Sequence, residues 1–234
     1  MISTARLTEV FVELADSLVA DFDVVDFLQD LTDRAAEASQ ADAVGLVLAD
    51  HQGRLQFMAA SNESGQALEL FQLQTEQGPC VDCFRDRSAV VNADLSNAIE
   101  LWPQFAPQAL EAGFQSVHAF PMRLRDQTIG ALNLFGTRPL RFAAAEARVV
   151  QALADVATIA ILQQRVLARA EALTEQLQGA LNSRIAIEQA KGAVAQREHI
   201  TPDEAFIRMR ARARSERRPL LEVAAEALGA PPVS

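Results

Sequence analysis

Apolar residues in this chain change their spacing from one region to the next, and each change predicts a different kind of element. Leu7, Val10, Phe11, Leu14 and Leu18 recur at three- and four-residue steps between residues 4 and 20, the spacing of a helix with one buried face. Asp23 opens a second helix whose inward positions are Phe27, Leu28, Leu31, Ala35 and Ala38. The period then shortens. Ala43 to Ala49 and Leu55 to Ala60 are short apolar runs on either side of His-Gln-Gly-Arg, which predicts a β-hairpin. Residues 66 to 74 read as a helix, and the segment from Gln77 to Asp86 opens with a Gly-Pro breaker and reads as a loop. Ala89 to Ala93 predicts a strand, Ile99 to Gly113 a loop with a short helix near Gln108, and Ser116 to Leu124 with Thr128 to Gly136 a second hairpin. Helices followed by strands followed by helices predict an α+β fold, an antiparallel sheet flanked by helices, in preference to alternating βα units.

From Ala143 the helical period persists for about fifty residues. Positions 149, 153, 156, 160, 163, 167, 170, 174, 177 and 181 keep heptad spacing, and eight of these ten are apolar. Such a seam needs a partner. The same helix of a second copy supplies one in a parallel dimer, while the part near 149 to 162 can equally pack on its own sheet. Further on, Arg184 to His199 carries two apolar stripes: Ala186, Ile187, Ala190, Ala193 and Val194 on one face, and Leu181, Ile185 and Gly192 roughly opposite. Two stripes imply two neighbours, with Arg184, Glu188 and Lys191 on the polar strip between them. Thr201-Pro202-Asp203-Glu204 is a capping box that begins a helix with Ala205, Phe206, Met209 and Ala213 inward. Arg208 and Arg212 edge one side of that face, Arg210 and Arg214 the other. A last helix begins at Pro219, and the three together predict a small three-helix bundle. The boundaries so drawn are 1–141 for the α+β domain, 142–179 for the connector and 180–234 for the bundle.

Charge sharpens this division. Residues 180 to 234 hold nine Lys/Arg against seven Asp/Glu, whereas the first 179 hold twelve against twenty-four, within a chain of net charge −10. An acidic body with a basic end is the asymmetry of a protein that offers one part to a polyanion. Lys191 is the sole lysine among 21 basic residues. No apolar run reaches the roughly 18 residues of a membrane span, and the acid-containing N-terminus lacks the pattern of a signal peptide. A cytoplasmic protein is expected, with two cysteines and no disulfide framework.

The motif Ile-Glu-Gln-Ala-Lys-Gly at 187 to 192, Asp-Glu-Ala-Phe at 203 to 206, Met-Arg at 209 and 210, Ala213 and Leu-Leu-Glu-Val-Ala at 220 to 224 resemble, in order, the ANTAR family of RNA-binding antiterminator domains over residues 175 to 229. Met209 departs from the usual leucine, and Ala195 from a bulkier residue. Gly-Pro-Cys-Val-Asp at 78 to 82 and Phe-Pro-Met-Arg-Leu-Arg-Asp-Gln-Thr-Ile-Gly-Ala-Leu-Asn-Leu-Phe at 120 to 135 resemble a GAF domain. The pair resembles an actinobacterial regulator in which a sensor is joined through a helix to an RNA-binding output. The resemblance implies a small-molecule ligand or other state sensed by the GAF domain, a cofactor it does not name, and a hairpin RNA bound by the ANTAR domain so that transcription passes a terminator. No receiver domain and no cyclic-nucleotide motif is evident.

Several residues are singled out for chemistry. Six arginines and one acid, Glu216, stand between 208 and 218. Arginine binds phosphates bidentately and stacks on unpaired bases, so Arg208, Arg210, Arg212 and Arg214 are expected at RNA; a solvated helix face is the plainer alternative. Arg184, Gln189, Lys191 and Gly192 join them through the family motif, with Lys191 suited to a phosphate, Gln189 to a base edge or simply to capping the packing, and Gly192 to close approach or to helix packing. Cys80 and Cys83 have the spacing of a redox pair, against which stand simple packed thiols. His51, His118 and His199 are too scattered for a metal site, none of which is expected, and His118 is read as a packed histidine in preference to a haem ligand in a GAF pocket. No nucleophile, base or phosphate loop is placed by motif, so enzyme activity is not expected. A DNA-binding helix-turn-helix is the alternative output, but its recognition helix, 219 to 228, carries Glu222 and Glu226 and no basic side chain. A sensor acting through protein contacts alone is the other.

Overall fold

A computed structural model describes residues 23 to 229, so the helix expected over 4 to 20 lies outside the described residues. The chain divides into two compact units, residues 1–164 and 165–234. The first contains α1 (Val24–Ser39), β1 (Ala43–Ala49), β2 (Leu55–Ala60), α2 (Glu63–Thr75), α3 (Pro79–Asp86), β3 (Val90–Asp94), α4 (Phe105–Glu111), β4 (Ser116–Leu124) and β5 (Gln127–Gly136). The long helix α5 (Ala144–Glu198) follows, then α6 (Pro202–Glu216) and α7 (Leu220–Ala227).

The strands form one sheet in the order β2-β1-β5-β4-β3, antiparallel throughout. Alternation along each strand sends side chains to two faces. Val44, Leu46 and Leu48 of β1, Phe120 and Met122 of β4, and Leu132 and Leu134 of β5 form one face, covered by Phe27, Leu28 and Leu31 of α1 and by Val150, Leu153, Ala154, Ala157 and Ile161 of α5. The heptad seam of the sequence is therefore spent on its own sheet up to about Ile161. Beyond it, Val166, Leu167, Leu173, Leu177 and Leu181 are more than half exposed.

The opposite face is closed by α2, α3 and α4. Trp102, Phe105, Ala106 and Phe114 pack there against Val117 and Phe135, and Cys80 and Cys83 against Val47, Ala119 and Ala131. One sequence expectation changes here. The Gln77 to Asp86 segment is not a loop: Pro79 occupies the first turn of α3, where its missing N–H is no loss, and Gly78 caps it at φ 138°. The Gly-Pro pair starts a helix in place of interrupting one. The β4–β5 hairpin turns on Arg125-Asp126 alone, with Arg125 at φ 55°, so β5 begins at Gln127.

Candidate nucleic-acid interface

The second unit is built on a small apolar core. Ala190, Val194 and Ala195 of α5, Ala205, Met209 and Ala213 of α6, and Val223 and Ala224 of α7 are buried together. The Thr201 hydroxyl accepts from the Glu204 amide at 3.3 Å while the Glu204 carboxylate accepts from the Thr201 amide at 2.9 Å, which starts α6 as expected. The guanidinium of Arg197 donates to the Ala227 carbonyl at 3.0 Å, tying α5 to the end of α7.

The arginines of this unit separate into two groups. Arg208 pairs with Glu198 at 2.5 Å. Arg212 pairs with Glu216 at 2.7 Å and Glu226 at 2.5 Å, and Arg218 reaches Glu216, Glu222 and Glu226 at 3.0 to 3.1 Å. The guanidinium hydrogen bonds hold the Glu216 and Glu226 carboxyls below their usual range; Glu216 and Glu226 raise Arg212 in turn, and Glu222, followed by Glu226 and Glu216, raises Arg218. Arg184, Arg210, Arg214 and Arg217, by contrast, make no salt bridge or side-chain hydrogen bond among the described residues, and all are exposed. Arg210 and Arg214 stand four residues apart and so share one face of α6, and Arg217 follows as its left-handed C-cap at φ 53°. The sequence treats both edges of α6 as equally basic; the fold neutralises one of them.

Lys191 is not free either. Its ammonium pairs with Glu188 at 2.9 Å and lies 5.5 Å from the centre of the Phe206 ring, leaving the side chain 17% exposed. Gln189 is exposed and makes no side-chain hydrogen bond among the described residues. A Cβ at Gly192 would meet nothing within 4 Å, so no packing contact inside this chain requires glycine there. The stripe of Leu181, Ile185 and Gly192 is exposed, whereas the opposite stripe of Ala186, Ile187, Ala190, Ala193 and Val194 is buried or half-buried.

In the first unit, Cys80 and Cys83 are free and fully buried on α3. Burial pushes the Cys80 thiol well above its usual value and the Cys83 thiol up to about 12, the reverse of the lowered pKa that a reactive thiol requires. His118 is buried, meets the Phe142 ring at a tilt with centroids 4.4 Å apart and is pushed down to about 4 by burial, as suits a packed histidine. Sequence reasoning missed Glu69, a fully buried acid beside Cys80; Gln66 and Gln72, three residues to either side of it, gave that helix face no apolar pattern to mark it as buried. Two neighbouring open cavities of about 480 and 620 Å³ share Phe84 and Arg85 of α3 at their border, the larger reaching Arg54 and Leu73.

Comparison with known proteins agrees with both halves. A GAF domain model matches residues 23–162 and an ANTAR domain model residues 175–227. The GAF domain from an Acinetobacter phosphoenolpyruvate-protein phosphotransferase matches at 17% identity and a TM-score of 0.57, over 70% of this chain and 96% of that one. The corresponding GAF domain from Coxiella burnetii gives 20% and 0.56, over 71% and 99%. Free methionine-R-sulfoxide reductase from Neisseria meningitidis, solved with its substrate, gives 18% and 0.54, over 71% and 96%. These likenesses establish the fold. Comparison with curated protein sequences finds no match. The two domain matches make the chain a GAF sensor domain joined to an ANTAR domain, a regulatory RNA-binding output. The chain belongs to the GAF domain family and carries a C-terminal ANTAR domain. Among the described residues no helix is long and apolar enough to cross a membrane.

Proposed function

We propose that the chain is a cytoplasmic, signal-responsive regulator that acts by transcription antitermination and has no catalytic role of its own. The GAF domain senses a small molecule or a cellular state, the exposed part of α5 pairs two copies, and the paired bundles hold a hairpin RNA so that a terminator does not form. The observation that carries the reading is the set of exposed, unpaired arginines of the ANTAR domain, Arg210 and Arg214 on one face of α6 and Arg217 at its C-cap, with Arg184 on the adjoining helix. An exposed guanidinium with no carboxylate partner is available to phosphate without first breaking an ion pair. Gln189 and Gly192 lie on the open surface of the same domain, while Arg208, Arg212 and Lys191 would have to leave Glu198, Glu216 and Glu188 to join in.

A duplex-DNA reading is disfavoured by α7, whose Glu222 and Glu226 are engaged with Arg218 and Arg212 and which presents no basic side chain to a groove. The test is a mobility-shift competition. Hairpin RNA should compete well and duplex DNA poorly, with affinity falling steeply as salt rises. Absence of any nucleic-acid shift at low salt would favour a sensor working through protein contacts alone.

A further inference from the structure

Phe206 lies on the inward side of α6 by its spacing, yet its ring is only half-buried and takes no part in the core that Ala205, Met209 and Ala213 form with α5 and α7. Its neighbour is Lys191, whose ammonium stands 5.5 Å from the ring centre and pairs with Glu188 at 2.9 Å. Arg210 and Arg214 follow Phe206 on the same face of α6 at one and two turns, and Arg184 precedes Lys191 on α5 by two turns. An aromatic face outside the core, capped by a long-stemmed cation and continued by unpaired guanidinium groups, has the composition of a single-stranded nucleic-acid site: a π-surface for a base beside cations for the backbone.

We propose that the Phe206 ring is the stacking platform for one unpaired base of the bound RNA. The inference rests on the RNA-binding reading above and adds where a base is taken and by what force. In the free protein the Lys191 ammonium occupies the ring face through its attraction to the π-electrons. A base entering from a loop displaces it, and the four-carbon stem of Lys191 carries the charge to an adjoining phosphate. Stacking accepts any base, because each presents a π-face, so selectivity comes from neighbouring groups such as Gln189.

The experiment uses the full chain and a hairpin RNA selected in vitro from a pool with randomised loops. Each loop position is replaced in turn by 2-aminopurine and by an abasic residue. One position should lose its fluorescence on binding, and its abasic form should bind about tenfold more weakly. Phe206→Leu should weaken the intact hairpin by a similar factor and leave the abasic hairpin unchanged. Equal loss on both RNAs, or no quenched position, overturns the proposal while leaving RNA binding itself intact. Failure of the wild-type chain to shift any hairpin removes the underlying reading as well. If Phe206→Leu does not fold, Phe206→Trp decides: its larger face should tighten the intact hairpin alone, and an equal change on both overturns the stacking.

Discussion

Asn133 donates through Nδ2 to Oε1 of Glu69 at 2.7 Å, directly above Gly45, the residue opposite Asn133 in the β1–β5 ladder. The fit depends on glycine, since a Cβ at position 45 would stand 2.2 Å from that oxygen. Gln72 donates to the other oxygen at 3.2 Å, and Cys80 also hydrogen-bonds the carboxyl. No cation is among the groups acting on it, so burial outweighs the hydrogen bonds and pushes Glu69 up to about 8. Glu69 is therefore protonated at neutral pH in the folded protein. As oriented, Oδ1 of Asn133 has no partner; turning that amide over lets it accept the carboxyl proton.

A pH dependence of stability results. Between the unfolded value, roughly 4.3, and about 8 the folded state holds a proton that the unfolded state has released, so stability falls as pH rises through that range. Glu69→Gln keeps the hydrogen-bonding shape without the charge. Thermal melts from pH 5 to 8.5 should show a falling midpoint for the wild type and a flatter one for the variant, which becomes the more stable protein above pH 8. Parallel profiles would contradict a neutral buried carboxyl.

His118 should act in the opposite direction. The Asn92 amide donates to Nδ1 at 3.0 Å, so the ring proton sits on Nε2 and is donated to the Leu140 carbonyl at 3.1 Å. A second proton has no place, and burial lowers the folded value to about 4, below the roughly 6.5 of an unfolded histidine. Stability is then complete above pH 6.5 and lost as pH falls toward 4. His118→Ala should cost about 1 to 3 kcal/mol at pH 7, because it removes a buried ring and leaves the part-buried Asn92 amide and Leu140 carbonyl without their partner, and should remove the acid-side slope in urea titrations.

The arginines of α6 should divide by function. Arg210→Ala and Arg214→Ala should each weaken hairpin binding several-fold and reduce the slope of log affinity against log salt by about one. Neither should move the thermal midpoint, since no partner is lost. Arg218→Ala should do the reverse: Glu216, Glu222 and Glu226 lose their shared cation and face one another, so the bundle melts earlier while RNA binding changes less.

The exposed stretch of α5 predicts the assembly state. Leu177 and Leu181 are 62% and 53% exposed at heptad spacing. Leu177→Asp with Leu181→Asp should halve the mass seen by sedimentation equilibrium, leave the circular dichroism of the sensor domain intact, and lower affinity for a two-hairpin RNA by about 100-fold or more through lost avidity. A monomeric wild type would contradict the pairing.

Sequence signals are legible wherever the physics is local. The Thr201 capping box depends on three consecutive peptide units, and the inward set of α1 on a 3.6-residue repeat, so both can be read before any fold is known. The strands of both hairpins are legible for the same reason, since their turns lie between neighbouring runs. Gly78-Pro79 misleads because a proline that breaks a helix internally begins one at its first turn, and only the packing of Cys80 and Cys83 against the sheet distinguishes the two cases.

By itself the sequence determined the α+β domain, the long helix and a basic C-terminal bundle, because periodicity and net charge are properties of neighbours along the chain. Tertiary structure decided which cations are free. Glu198 and Glu226 lie 10 and 14 residues from the arginines they neutralise, and Coulomb attraction of this strength acts only at contact distance, which folding sets. It also decided that Glu69 of α2 rests over Gly45 and Asn133, which the β1–β5 register sets opposite one another and over which the packing of α2 places the carboxyl.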